Sequence, residues 1–120
     1  MHGQRTFTRA ERLQHGWQFR HVYDNGNNAK GRLLVVYALA GTEEPNRVGM
    51  VSSRRVGNAV VRNRARRLLR EAYRLHKHKL RHPLQLVMLA RTAIRDRKLR
   101  DIETEMLALW EQLGLLVATS

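Results

Sequence analysis

Cysteine is absent from this chain of 120 residues, proline occurs only twice, and long hydrophobic runs are lacking. Without cysteine, disulfides and thiolate metal sites are excluded, which agrees with a reducing cytosol. No apolar stretch approaches the roughly 20 residues that a membrane span requires, and the N-terminus lacks the apolar segment of a secretory signal. The sequence therefore predicts a cytoplasmic protein that does not enter a membrane.

Internal repeats, low-complexity segments and long linkers are also missing. The two prolines, Pro45 and Pro83, both lie where the hydrophobic pattern breaks. A chain of this length is close to the usual size of one domain. We therefore predict a single domain over residues 1–120, with flexible ends at residues 1–12 and 115–120.

Acidic residues are scarce in the middle of the chain, although basic residues are abundant there. Residues 47–81 contain twelve Lys and Arg against one acid, Glu71, and so supply nearly all of the formal net charge of +13. A merely solubilising surface usually mixes the two signs of charge. This concentration therefore favours an anionic partner, and a nucleic acid is the most common one.

Hydrophobic periodicity predicts six elements. They are a helix at 13–25, strands at 33–40 and 47–53, a helix at 58–76, a strand at 84–90 and a helix around 102–113. Gly26 and Gly114 are expected to end the first and last helices in the left-handed conformation. A further strand between Gly49 and Val56 is an open alternative. The order helix-strand-strand(-strand)-helix-strand-helix predicts an α/β (mixed α+β) two-layer sandwich.

The helix at 58–76 has two chemically distinct faces. At helical spacing, its apolar side chains gather on one arc, and Arg64 falls at the boundary. The opposite arc holds Arg62, Asn63, Arg66, Arg67, Arg70 and Arg74. Arginine presents a planar fork of donors that matches phosphate oxygens and stays charged at any cellular pH. The alternative, a solvated face stabilised by ion pairs, needs acids, and Glu71 is the only one available.

Gly57 and Asn58 precede this helix, and Arg54 and Arg55 come just before them. Exposed backbone amides at a helix N-terminus attract anions, so these residues are candidates for a second phosphate contact. Ordinary capping by the asparagine is an equally good interpretation.

A long segment of the sequence resembles a known family. The residues that carry the resemblance are Arg47-Val48-Gly49, then Ser53 to Arg64 with the run Arg62-Asn63-Arg64, then Arg66 to Tyr73. Together they resemble the signature region of the bacterial ribonuclease P protein, and a looser similarity extends from about Phe19 to Leu113. Gly16 makes the N-terminal alignment loose, which leaves the roles of residues 1–16 open.

The resemblance implies a fold with a left-handed crossover around the arginine helix, against the general preference for right-handed ones. It also implies that this helix binds the catalytic RNA of ribonuclease P. The residues that would do so are Arg54, Arg55, Asn58, Arg62, Asn63, Arg64, Arg66, Arg67 and Arg70.

The resemblance further implies a cleft for the single-stranded 5′ leader of precursor tRNA, lined by Phe19, Tyr23 and Tyr37. Phe19 and Tyr23 are four residues apart, so their rings share one face of the first helix. Aromatic rings stack on any base, as a leader of varying sequence requires. The competing interpretation is that these rings belong to the hydrophobic core.

Catalytic groups are not recognisable in this sequence. The six histidines have no metal-binding spacing, and the acids Asp96, Asp101, Glu103 and Glu105 cluster at a helix start, where they favour the dipole. No nucleophile is paired with a base. We therefore expect an endonuclease subunit for tRNA processing, with chemistry and Mg²⁺ in the RNA partner and no metal, cofactor or small-molecule substrate of its own.

Two other functions are compatible with part of the pattern. A structural ribosomal protein could use the same arginine helix on ribosomal RNA, and only the extended motif argues against it. A free-standing metal nuclease would need a constellation of carboxylates and histidines that the sequence does not supply.

Overall fold

The computed structural model describes residues 7–41 and 45–117 and contains three α-helices and four β-strands within them. In chain order these are α1 (Gly16–Asn25), β1 (Asn27–Lys30), β2 (Leu34–Ala40), β3 (Arg47–Ser52), α2 (Ala59–His76), β4 (Leu84–Ala90) and α3 (Leu99–Gln112). The mixed α/β class is confirmed, and all six predicted elements are present. Differences at their ends amount to a few residues, as at α1, which begins at Gly16 rather than at residue 13.

The four strands form one sheet in the order β1-β2-β4-β3. β1 with β2 and β2 with β4 are antiparallel, whereas β3 and β4 are parallel, with Gly49 opposite Val87. Parallel neighbours need a crossover connection, and α2 provides it between β3 and β4. The left-handed sense of this crossover stays a prediction.

Two helices cover one face of the sheet and build the main core. Even-numbered residues of β2 and β4, such as Val36 and Leu86, point to this face because side chains alternate along a strand. α2 contributes Leu69 and α3 contributes Trp110, and both are fully buried. The arginine-free side of α2 therefore faces inward, as its periodicity predicts.

α1 lies across the opposite face of the sheet and adds a partial third layer. Val22 packs on Val87 of β4, and Phe19 packs on Gly49 of β3. A Cβ added to Gly49 would lie 2.2 Å from Cε2 of Phe19, so only glycine allows the ring to approach the strand this closely. This contact places Phe19 over the edge strand β3, while Tyr23 lies over β2.

Two details of the predicted fold are wrong. Gly26 ends α1 with a φ of −87°, so the left-handed conformation is not used there, whereas Gly114 does have a positive φ of 71°. Gly26 is needed for space instead, since a Cβ would lie 2.6 Å from the carbonyl oxygen of Ala38. The extra strand is β1, not a segment between Gly49 and Val56, because Arg54–Val56 forms a short 3₁₀ helix.

Parts of the predicted flexible ends contact the rest of the fold. Phe7 packs edge-on against Tyr73 of α2, and Arg12 pairs with Val48 beside β3. At the other end, Leu116 pairs with Leu80. Residues 1–6 and 118–120 of those predicted ends lie outside the described residues.

Glu105 of α3 holds the turn between β1 and β2. Its carboxylate accepts hydrogen bonds from the backbone N–H groups of Arg32, Leu33 and Leu34 at 2.9, 2.7 and 2.9 Å. Arg91 completes this arrangement, since its guanidinium donates to the carbonyl of Gly31 at 2.8 Å. The turn is therefore fixed from both sides by charged groups.

We expect Glu105→Ala to lower the free energy of unfolding by about 1–3 kcal/mol, because three backbone donors lose a charged acceptor. Chemical denaturation measures this loss. Thr104→Ala is the matched control, since Thr104 is exposed and its hydroxyl donates a local hydrogen bond to the carbonyl of Arg100. Equal losses in the two variants would contradict a special role for Glu105.

Candidate nucleic-acid interface

The start of α2 is fixed by a side-chain cap. Oδ1 of Asn58 accepts a hydrogen bond from the backbone N–H of Val61 at 3.0 Å. Gly57 has a φ of 156°, which side chains rarely allow, and lets the chain turn from the preceding 3₁₀ helix into α2. The asparagine thus caps the helix, and it is itself an exposed residue.

The polar face of α2 is accessible to solvent, since Arg67 and Arg70 are exposed, whereas Arg62 and Arg66 are half-buried. Among residues 7–41 and 45–117, no carboxylate lies within ion-pair distance of Arg62, Arg66, Arg67 or Arg70. Arg62 donates weakly to the carbonyl of Gly57 at 3.4 Å, and Arg66 donates to the side-chain oxygen of Asn63. Uncompensated guanidinium groups in a row form a surface suited to phosphates.

Glu71 does not neutralise this row. Its carboxylate forms an ion pair with Arg74, one turn further along α2. The hydrogen bond from Arg74 holds the pKa of Glu71 below its usual value, with the charge of Arg74 as a smaller cause. The single acid of the segment is therefore ionised and occupied away from Arg62, Arg66 and Arg67.

Arg64 differs from the other arginines of the motif. Its guanidinium donates to the carbonyl of Arg97 at 2.8 Å and is partly buried. This contact joins α2 to the loop before α3, as its position at the boundary of the two helix faces suggests. Arg54 and Arg55 are exposed beside the start of α2, close to the highly exposed Val60.

The structure brings the three predicted leader-binding aromatics to the same face of the sheet. Tyr23 of α1 and Tyr37 of β2 meet edge to face, with ring centroids 4.8 Å apart, and 36% of Tyr23 is exposed. Partial burial, and to a lesser extent Tyr37, raises the pKa of Tyr23, so its phenol is neutral at cellular pH. Phe19 is half-buried on Gly49. Tyr23 thus offers ring surface to a ligand, while Phe19 also belongs to the small core under α1.

Residues 7–114 match the family model described as Ribonuclease P. The chain belongs to this family. A ribonuclease P protein component from Alkaliphilus metalliredigens is 34% identical over 105 residues, covering 88% of this chain and 95% of the relative. A ribonuclease P protein component from Clostridioides difficile is 38% identical over 98 residues, covering 81% of this chain and 86% of the relative.

Solved ribonuclease P proteins share the fold. The protein from Staphylococcus aureus superposes with a TM-score of 0.81 at 25% identity, covering 91% of this chain and all of that one. The protein from Thermotoga maritima superposes with a TM-score of 0.74 at 22% identity, covering 82% of this chain and 93% of that one. At this identity, the second comparison supports the fold alone.

The sequence did not predict β1. Two polar side chains of this strand lie beside the aromatic residues of this ribonuclease P family protein. β1 reads Asn-Asn-Ala-Lys, which contains no β-branched or aromatic residue. In the sheet, Asn28 lies opposite Tyr37, and Lys30 lies opposite Val35. By alternation, Asn28 and Lys30 share the face that α1 crosses. Only the pairing with β2 reveals them.

Other site classes find little support in the part of the chain that the structure describes. No group of three or more His, Cys, Asp or Glu side chains comes together there in a metal-binding arrangement. His76 instead bonds to Glu103 at 2.6 Å, linking α2 with α3. No described helix is long and apolar enough to cross a membrane.

Proposed function

We propose that this chain is the protein subunit of ribonuclease P and that α2 binds the catalytic RNA. The observation that carries the proposal is the row of at least partly exposed arginines on α2 from Arg62 to Arg70, which have no acidic partner among the described residues, in a chain of this family. The contact set is the one predicted from sequence, with Arg64 partly engaged by the protein itself. Asn58 contributes its amide, and Arg54 and Arg55 extend the surface beyond the helix.

The face crossed by α1 binds the single-stranded 5′ leader of precursor tRNA. Tyr23 and Tyr37 supply ring surface, and Phe19 closes the cleft at β3. Ring surfaces stack on bases without sequence preference, at roughly 1–3 kcal/mol per base. The protein thereby positions a substrate that differs from one tRNA to the next.

Endonucleolytic 5′ maturation of tRNA takes place in the RNA partner with its own Mg²⁺, in the cytoplasm. The protein lowers repulsion between the phosphates of two RNA molecules, to which its net charge of +13 is suited. It needs neither a small-molecule substrate nor a cofactor for this role.

The deciding experiment is cleavage of a tRNA precursor by the catalytic RNA, with and without the chain, at near-physiological salt. We expect cleavage at the mature 5′ end only when the RNA is present, and faster cleavage when both are combined. If five or six phosphates are neutralised, the logarithm of the affinity for RNA falls against log salt with a slope of about −4 to −5. A flat salt response, or cleavage by the protein alone, would refute the proposal.

Tyr23→Ala is expected to weaken binding of leader-bearing precursor about tenfold, because one stacking surface is lost. Binding of mature tRNA should not change. The measurement is the ratio of the two dissociation constants for the complete ribonucleoprotein.

Tyr23→Phe is the control, since it keeps the ring and its contact with Tyr37 and removes only the hydroxyl. It should bind precursor nearly as well as the original chain. If the alanine variant lost stability but still bound precursor in preference to mature tRNA, Tyr23 would be a core residue and not a leader-binding one.

A further inference from the structure

A small pocket at the outer edge of β3 connects the aromatic face with the arginine face. It has a volume of about 150 Å³, and Arg12, Phe19, Gly49, Met50 and Arg70 are among its lining residues. Arg70 comes from α2, and Phe19 comes from α1 on the other side of the sheet. The pocket therefore lies where an RNA strand would pass from one proposed binding surface to the other.

The edge of β3 is only partly covered at this place. β3 pairs with β4 on its inner side, and on its outer side the N–H of Leu13 donates to the carbonyl of Val48 at 3.1 Å. Backbone groups alternate in direction along a strand, so those of Met50 also point outward. Within the described part of the chain they have no backbone partner on that side. The pocket thus adds a free N–H donor to its two guanidinium groups.

Both arginines of the pocket are exposed, and Arg12 is held in place. The guanidinium of Arg12 lies 5.1 Å from the centre of the Phe7 ring and donates to the carbonyl of Phe7 at 3.5 Å. A cation over an aromatic face is attracted to it without losing its charge. Arg12 is therefore oriented in advance for an anionic ligand.

No acid among residues 7–41 and 45–117 forms an ion pair with Arg12 or Arg70. The lining contains no carboxylate. Glu11, next to Arg12 in sequence, is buried and bonded to Lys77 at 2.9 Å, and Glu71, next to Arg70, is paired with Arg74. The nearest acids in sequence are thus committed elsewhere.

We infer that Arg12 and Arg70 together bind one phosphate of the precursor tRNA leader at the edge of β3, beside Phe19. The inference rests on the proposed function, reassigns Arg70 from the catalytic RNA to the leader, and adds a residue, Arg12, that the sequence did not single out. A volume of about 150 Å³ accommodates a phosphate group but is below the roughly 300–1,000 Å³ of typical small-molecule sites. The two planar forks suit phosphate oxygens.

The test uses the complete ribonucleoprotein at saturating catalytic RNA. Precursors carry one uncharged methylphosphonate linkage at successive positions of the leader. With the original chain, one linkage should weaken binding about tenfold, the loss expected for a charge-assisted contact. With the R12Q/R70Q variant, precursor binding should be about tenfold weaker, and the same linkage should have less than a twofold effect.

R95Q/R100Q is the matched control. It removes two exposed arginines near the start of α3 and lowers the net charge equally. It should leave the response to the sensitive linkage unchanged. Thermal unfolding of all variants verifies that they are folded, which we expect because the guanidinium of Arg12 is exposed beside Phe7 and Arg70 is exposed.

Three results would overturn the inference. They are the absence of any sensitive linkage, an equal effect of that linkage on the original and R12Q/R70Q chains, and a loss confined to assembly with the catalytic RNA. In each case the original chain would still prefer precursor over mature tRNA. Failure of the proposed function differs, since the original chain itself would then show no preference.

Discussion

Changing Arg62, Arg66 and Arg67 together to glutamine is expected to weaken assembly with the catalytic RNA by about 100-fold. Each exposed arginine–phosphate contact contributes on the order of 1 kcal/mol, and three such losses correspond to roughly two decades in the dissociation constant. The slope of log affinity against log salt concentration should also become shallower by about 2 to 3, because fewer phosphates are neutralised. Filter binding or calorimetry over a series of salt concentrations measures both quantities.

The fold should tolerate this change. None of the three side chains has an ion-pair partner among the described residues, and the bonds of Arg62 and Arg66 are local to α2. Surface substitutions outside the hydrophobic core usually change the free energy of unfolding by no more than about 0.5 kcal/mol each. A loss of helical signal in the free variant would show that the arginines act on folding instead.

R95Q/K98Q/R100Q is the control for the charge itself. It removes the same number of positive charges near the start of α3 at residues outside the proposed set of RNA contacts. If RNA binding depended only on net charge, the two triple variants would lose affinity equally. We expect the fold-loss of RNA affinity in the control to be less than a tenth of the fold-loss in the α2 variant.

Trp110→Ala should lower the free energy of unfolding by about 3–5 kcal/mol, the usual cost of removing a fully buried large aromatic side chain. Trp110 is 0% exposed and meets Tyr73 of α2 edge to face, with ring centroids 6.3 Å apart. Tyr73 in turn contacts Phe7. One substitution therefore removes the α3 end of a row of rings that joins α3, α2 and the N-terminal segment.

Trp110→Phe separates the volume of this side chain from its polarity. The indole N–H of Trp110 has no hydrogen-bond partner among the described residues. Losing that buried donor offsets part of the lost packing, since an unsatisfied group costs about 1–3 kcal/mol. We expect the phenylalanine variant to lose less than half of what the alanine variant loses. Denaturant titration with an unchanged slope is the measurement, and equal losses would contradict this account.

The two predictions test opposite sides of α2, because Trp110 of α3 packs against its buried side at Tyr73. Arg62 and its neighbours should affect RNA binding without affecting stability, whereas Trp110 should affect stability first and RNA binding only through the position of α2. The division follows from the two faces of α2, one packed on the sheet and on α3, the other open to solvent.

The sequence by itself determined the features that depend on local pattern. The period of α2 separates its arginines from its apolar side chains, and the buried strand at Leu84–Ala90 has its predicted ends. The motif around Arg62-Asn63-Arg64 indicated the family, which the comparisons confirm. These features are encoded by neighbouring residues, because periodicity and side-chain chemistry act over one or two turns of chain.

Tertiary structure decided the features that depend on residues far apart in the chain. β1 has a composition that disfavours strands and exists because β2 offers it an edge. Gly26 and Gly49 are needed for close approach to Ala38 and Phe19, which no local pattern shows. Arg12 and Arg70 line one pocket although 57 residues separate them in sequence. Packing overrides local preference in such places, because burial and pairing contribute more free energy than the propensity of any single residue.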